Sequence, residues 1–181
     1  MQIKQFQSKY FDGTREICRQ TSTSLREWPE ILWPLFHDYY PQHCPQWCFV
    51  AVDDDDHAIG YALCAPDFAH FEKTMRAKYI PQIADVSPAH VALFETKFAE
   101  YKKYLGEYPA HLHVDILPEA QGHGLGGKLI CALLDKLRHE KIPGVFLEAG
   151  AHKVNAIKFF TKHGFTEIDR VGKDIIFGQK L

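Results

Sequence analysis

Between Ala110 and Leu117 leucine, valine and isoleucine alternate with His111, His113 and Asp115. A period of two predicts a strand. Pro118 ends it, because proline has no N–H to give a ladder. Past the turn Gln121-Gly122-His123-Gly124-Leu125-Gly126-Gly127 the period changes. Leu125, Leu129, Ala132, Leu133 and Leu137 recur at helical spacing. The rest of the chain is organised around this strand, glycine-rich turn and helix.

The same patterns place the other elements. Met1 to Phe6 alternates and predicts a short first strand, with Ile3 facing in. Asp12-Gly13-Thr14 reads as a turn with an N-cap, followed by a helix through Arg19. Leu25 to Tyr40 carries Trp28, Trp33, Phe36, Tyr39 and Tyr40 and predicts short helices over the sheet, with Pro29 and Pro34 in first turns. Gln46 to Val52 and Ala58 to Ala65 read as a hairpin joined by a solvated turn, Asp53-Asp54-Asp55-Asp56-His57. Asp67 to Ile83 and Pro88 to Leu105 read as helices, so residues 67–107 form a helical insertion before the central strand.

After Pro143-Gly144 comes a buried strand, Val145 to Ala149, carrying one carboxylate, Glu148. Asn155 to Lys162 predicts a helix with Ala156, Phe159 and Phe160 facing in and Gly164 as its C′ residue. Phe165 to Asp169 and Lys173 to Lys180 read as a final hairpin. The fold class is α/β, a sandwich around a mixed sheet, and residues 1–181 read as a single domain without repeats or linkers.

Composition removes several classes of function. A net charge of −2 suggests no nucleic-acid footprint. No apolar run approaches the roughly 18 residues needed to cross a membrane. The five cysteines are odd in number and no secretion signal is evident, which suggests reduced thiols and a cytoplasmic protein, with the nucleus open as well. Cys44-x-x-x-Cys48 with His43 is half a zinc pattern without a second pair, and His111-x-His113 lacks a third ligand, so no metal is expected. Eleven histidines mean that part of the charge changes between about pH 5 and 7.

The chemistry of the turn is anion binding. Four glycines in six residues allow positive φ and close approach of the backbone to a ligand. The first N–H groups of a helix lack intrahelical partners and carry the positive end of its dipole. The same glycines would also suit a merely tight strand-to-helix connection. The Walker pattern fails, since Gly127-Lys128 is followed by Leu129, and the dinucleotide fingerprint fits only loosely.

Gln121-Gly122-His123-Gly124-Leu125-Gly126 resembles the acyl-CoA loop of the GNAT N-acetyltransferases, whose pattern is Gln/Arg-x-x-Gly-x-Gly/Ala. Asn155 to Phe165 resembles the same family's signature Ala-x-x-Phe-Tyr-x-x-x-Gly-Phe. Within the family, GYALCAPD, YIPQI, EYPAHLHVDI, the FFTKHGF helix and the ending KDIIFGQKL are similar to the acetyltransferase-like C-terminal domain of protein O-GlcNAcases. The animal members of that group have a degenerate loop; here it is intact.

The resemblance implies a three-layer sandwich with a mixed sheet of about seven strands, and an acyl-CoA-binding core over residues 108–181. It implies acetyl-CoA as co-substrate. The pyrophosphate would lie on Gln121, Gly122, His123, Gly124, Leu125, Gly126 and Gly127. The pantetheine arm would lie on the main chain of Val114, Asp115 and Ile116, with Asn155 and Phe160 also on the acyl-CoA.

Asp115 and Glu148 are the candidate bases that deprotonate an amine acceptor of unknown identity, with His113 as a third. Each could instead be a satisfied buried polar group. Asp115 is the hardest to explain structurally, because a charge in an apolar strand is costly without a partner. The family's usual proton donor is a tyrosine where this chain has Phe160. Two readings follow: an N-acetyltransferase, or an acetyl-CoA-binding or protein-interaction domain without transfer. Exposed final strands could also pair two copies into a homodimer.

Overall fold

A computed structural model describes residues 1–181. Its strands are β1 (Gln2–Gln5), β2 (Phe49–Val52), β3 (Ala58–Ala65), β4 (Ala110–Ile116), β5 (Gly144–Gly150), β6 (Thr166–Val171) and β7 (Asp174–Lys180). The helices are α1 (Phe11–Thr21), α2 (Pro29–Phe36), α3 (Tyr39–His43), α4 (Phe68–Thr74), α5 (Ile80–Ile83), α6 (Pro88–Tyr101), α7 (Leu125–His139) and α8 (Val154–Lys162). The seven strands form one sheet in the order β1-β2-β3-β4-β5-β7-β6. Every neighbouring pair is antiparallel except β4 and β5.

That parallel pair is short. Its register holds only for Ala110 with Val145 and His111 with Phe146. Beyond His111, β4 stays paired to β3 as far as Ile116 opposite Gly60, while β5 continues with β7. The sheet therefore splits along a seam, and β4 offers an unpaired edge there.

Strand alternation divides the side chains of β3 and β4 between two layers. Tyr61, Leu63 and Ala65 share a face with their register partners Asp115, His113 and His111. This face lies under α1 to α6, where Phe68 and Phe71 pack on the His111 ring at 5.7 and 5.9 Å. Ile116 points to the opposite face, against the first turn of α7. Leu129, Ile130, Leu133 and Leu137 of α7 are fully buried there.

The expected elements are present, with local corrections. Asp12 caps nothing: α1 begins at Phe11, directly after a 3₁₀ turn, and has no side-chain cap. Thr14 instead donates its hydroxyl to the Phe11 carbonyl at 2.9 Å. Pro29 opens α2 as expected, but Pro34 lies inside it, and the helix ends two residues later at Phe36. Residues 45–47 form a 3₁₀ turn started by Pro45, so β2 begins only at Phe49.

The run from Asp67 to Ile83 is helical in three pieces. A π turn over Met75–Tyr79 separates α4 from α5 and lies just before Pro81. A regular turn would leave Pro81 short of a donor and crowd its ring against the preceding turn. The end of α8 follows expectation: Gly164 has φ +88°. The Phe165 N–H donates to the Phe160 carbonyl at 3.1 Å and the Gly164 N–H to Thr161 at 3.1 Å, a Schellman closure.

Candidate active site

The turn before α7 is built from main chain. Gly122 and Gly124 have φ of +82° and +75°, where a side chain would be strained. The N–H groups from Gly122 to Gly127 have no protein partner; the first bond of the helix is Lys128 N–H to the Gly124 carbonyl, 3.2 Å. A fan of free donors at a helix N-terminus is suited to phosphate oxygens. Leu125 buries its side chain and offers only its N–H. Gln121 is exposed, and its side chain donates to the Ile116 carbonyl at 3.1 Å, which clips the turn onto the end of β4. His123 is exposed too, its Nδ1 3.4 Å from the Ala120 carbonyl.

The other two glycines have a different reason. A Cβ on Gly126 would meet the Phe159 ring at 3.0 Å, and one on Gly127 would meet His163 Nε2 at 2.9 Å. Here α8 presses on the first turn of α7, so these positions are small for the protein's own packing. Around Gly122 and Gly124 a Cβ would meet nothing within 4 Å.

The seam opens into a cavity of about 1360 Å³ that passes from one face of the sheet to the other. On one face it is bounded by Gly122, Gly124 and Phe159, on the other by Phe36, Phe94 and Tyr101. Val114, Asp115 and Ile116 line it from β4, and Glu148 and Ala149 from β5. Asn155 lies exposed at the start of α8, on the cavity rim. Phe160 reaches the cavity, but most of its ring is buried against Phe165 and Phe177, with centroids 5.7 and 6.0 Å away.

Two carboxylates flank the gap. Asp115 accepts a hydrogen bond from the Tyr61 hydroxyl at 2.7 Å. Burial raises its pKa above the ordinary carboxylate value, against the lowering influence of that hydroxyl and of Lys153. Burial and the Asp115 charge together push the Tyr61 phenol well up, so the proton stays on the tyrosine. His37 lies beside the Tyr61 ring at 6.0 Å and is held in turn by Thr14 at 2.9 Å and Asp38 at 3.1 Å.

Glu148, across the gap, accepts from the Lys97 ammonium on one oxygen and the Tyr101 hydroxyl on the other, both from α6. Lys97 also lies 3.6 Å from Asp174. His111 bonds the Tyr40 hydroxyl at 3.0 Å. His113 packs edge-on against His111 and Tyr40 at 4.9 and 5.3 Å, and burial lowers its pKa to about 4. Both imidazoles are therefore neutral near pH 7, and His113 is a poor proton acceptor.

Asp115 and Glu148 do converge on one cavity with the glycine turn. Sequence reasoning missed what holds them, namely Tyr61, Lys97 and Tyr101. Lys97 and Tyr101 are four apart on a helix, so they share a face, but nothing local says that the face meets Glu148. No cluster of metal-ligating side chains is present, and no helix is long and apolar enough to cross a membrane.

Known proteins share this architecture. The crystal structure of SsHAT superposes with a TM-score of 0.88 at 25% identity, covering 99% of this chain and 97% of that one. PaiA N-acetyltransferase from Thermoplasma acidophilum, solved in complex with coenzyme A, has a TM-score of 0.63 at 13% identity over 99% of this chain and 98% of its own, a likeness of fold alone. Protein O-GlcNAcase of Rattus norvegicus is 23% identical over 152 residues, 75% of this chain, and the mouse protein matches equally. The match spans 16% of the length of those relatives. The acetyltransferase (GNAT) family model matches residues 11–165. With that match over most of its length, the chain belongs to the GNAT acetyltransferase family.

Proposed function

We propose that this protein is an N-acetyltransferase that moves an acetyl group directly from acetyl-CoA to an amine. One observation carries the reading: the cavity at the seam joins the unpartnered N–H groups before α7 to the Asp115–Glu148 pair on the opposite face. Acetyl-CoA enters from the α7 side, with its pyrophosphate on the main chain of Gly122 to Gly127 and its amide-bearing arm along the free edge of β4. The amine enters from the side of α2 and α6.

An ordinary aliphatic ammonium is protonated at pH 7 and has no lone pair to offer. Asp115 takes that proton; a carboxylate whose pKa is raised by burial is a better acceptor than an exposed one. The nitrogen then attacks the thioester carbonyl carbon. The C–N bond forms, and a main-chain N–H of the free β4 edge stabilises the oxyanion. The C–S bond breaks, CoA leaves as a thiolate, and the nitrogen gives up its second proton to water. Phe160 has no proton to give, so water protonates the thiolate. Glu148, held by Lys97 and Tyr101, offsets the Lys97 charge that would otherwise oppose the incoming amine.

A second reading has its own support. Phe160 and the complete pairing of both Glu148 oxygens suit a domain that binds acetyl-CoA without transfer. Calorimetric titration with acetyl-CoA and free CoA, followed by amine-dependent CoA release, separates the two. Micromolar binding with amine-dependent release is expected. Binding without release under any amine overturns transfer, and no binding by folded protein overturns both readings.

A further inference from the structure

We propose that the acceptor is a primary amine carried on an uncharged apolar body, of the arylalkylamine class, and not a polyamine or a lysine-rich peptide. This rests on the proposed transfer reaction and adds what the acceptor half of the cavity selects.

The charges come first. The carboxylates lining the cavity are Asp115, Glu148 and Asp174, and the lysines are Lys97, Lys153 and Lys162. Lys97 is bonded to Glu148 and lies 3.6 Å from Asp174, so both acids already face a cation. Asp115 alone has no cation bonded to it, only the Tyr61 hydroxyl. Asp115 is thus the one lining carboxylate without a lysine beside its oxygens, and the seat for an ammonium. A second positive charge on the acceptor would meet Lys97 and the neutral His113, with Glu148 and Asp174 already on Lys97, and its desolvation would be poorly compensated.

The walls agree with the charges. Phe36 is half-buried, with its ring 5.4 Å from Phe94 and 6.3 Å from His113, edge-on to both. This gives an aromatic wall on the same face as Asp115. Leu93 is 45% exposed on the lip, one of few large apolar side chains left open by the fold. Thr21, Ser22, Thr23 and Ser24 also line the cavity, polar but uncharged. A flat apolar body fits between these walls with its ammonium on Asp115, and edge-to-face contacts reward a ring.

The test measures CoA release at saturating acetyl-CoA with 2-phenylethylamine, spermidine and a lysine-rich peptide as acceptors. Expected is a kcat/KM for 2-phenylethylamine at least about tenfold above the other two, the discrimination a desolvated apolar pocket can supply. Leu93→Glu, an exposed substitution that should fold, places an acid on the lip and should narrow the ratio. Phe36→Ala should raise KM for 2-phenylethylamine and leave that for acetyl-CoA unchanged. Equal or reversed preference overturns the acceptor class and leaves transfer standing. No release with any amine, from protein that binds acetyl-CoA by calorimetry, overturns the transfer reading and this inference with it.

Discussion

The two faces of the cleft are made of different material. On the α7 side the donors are main-chain N–H groups, set by two glycines with positive φ and bonded to nothing in the protein. On the α2–α6 side the polar groups are side chains, and most already hold one another: Tyr61 on Asp115, Lys97 and Tyr101 on Glu148, Tyr40 on His111. The first face is preorganised, with free donors suited to an anion. The second must exchange or share partners when a substrate arrives. Affinity for acetyl-CoA should therefore depend on backbone conformation, and turnover on a few side-chain bonds.

The largest break in this contrast should come from Gly124→Glu. The position is open, so the fold survives, but the side chain strains a φ of +75° and would set a carboxylate against the proposed pyrophosphate. Acetyl-CoA affinity should fall by at least about 100-fold, some 3 kcal/mol, in calorimetry. Unchanged affinity would remove the turn from the binding site.

The opposite face is tested by Asp115→Asn, which should lower turnover by about 10²–10⁴-fold without changing acetyl-CoA affinity. In the parent protein the rate should rise with pH through an apparent pKa above the usual carboxylate range, and asparagine should abolish that limb. Glu148→Gln should cost less, about tenfold in rate, since it removes a field and not a proton acceptor. A wild-type rate in the Asp115 variant would refute its assignment as the base, and one in the Glu148 variant would refute the role of its field.

A subtler contrast lies inside the glycine turn. Gly127→Ala should cost stability, about 1 kcal/mol in denaturant unfolding, because the His163 ring, just past the end of α8, must shift. Its effect on acetyl-CoA affinity should be smaller than that of Gly124→Glu. The smallest effect concerns acid. His113 has a folded pKa of about 4, below the unfolded value of about 6.5, so the unfolded chain binds protons first. The stability its neutral form provides is present above pH 6.5 and is lost as pH falls towards 4. His111 acts in the same direction. Unfolding free energies across that window should decline, and His113→Phe should flatten the slope.

The uneven material also explains what could be read from residue order. Backbone rules are local, so the alternation of β4, the turn, α7 and the closure at Gly164 were all legible. Asp115 stood out as a charge among apolar neighbours, and its reason is Tyr61, which reaches it only once β3 lies antiparallel in the observed register. Lys97 and Glu148 are 51 residues apart, and no local signal joins them. Gly126 and Gly127 read as ligand-binding glycines, and residue order gave no sign that Phe159 and His163 also crowd the space a Cβ would take there. Pro34 and Asp12 were misplaced because a first-turn preference is a weak local rule, and tertiary packing sets where a helix starts.

The seam in the sheet has a mechanical consequence. The halves β1–β4 and β5–β7–β6 meet at only Ala110 with Val145 and His111 with Phe146, a joint too short to resist bending. The insertion spans it like a brace. Phe68 at one end touches both His111 and Phe146, and Lys97, Tyr101 and Tyr104 at the other are fastened to Glu148 and Asp169 in the far half. The gap is thus bridged by a segment belonging to neither half of the sheet, besides the contact of Phe159 with the start of α7. Loosening that brace would let the blades of the sheet swing apart before either blade unfolds.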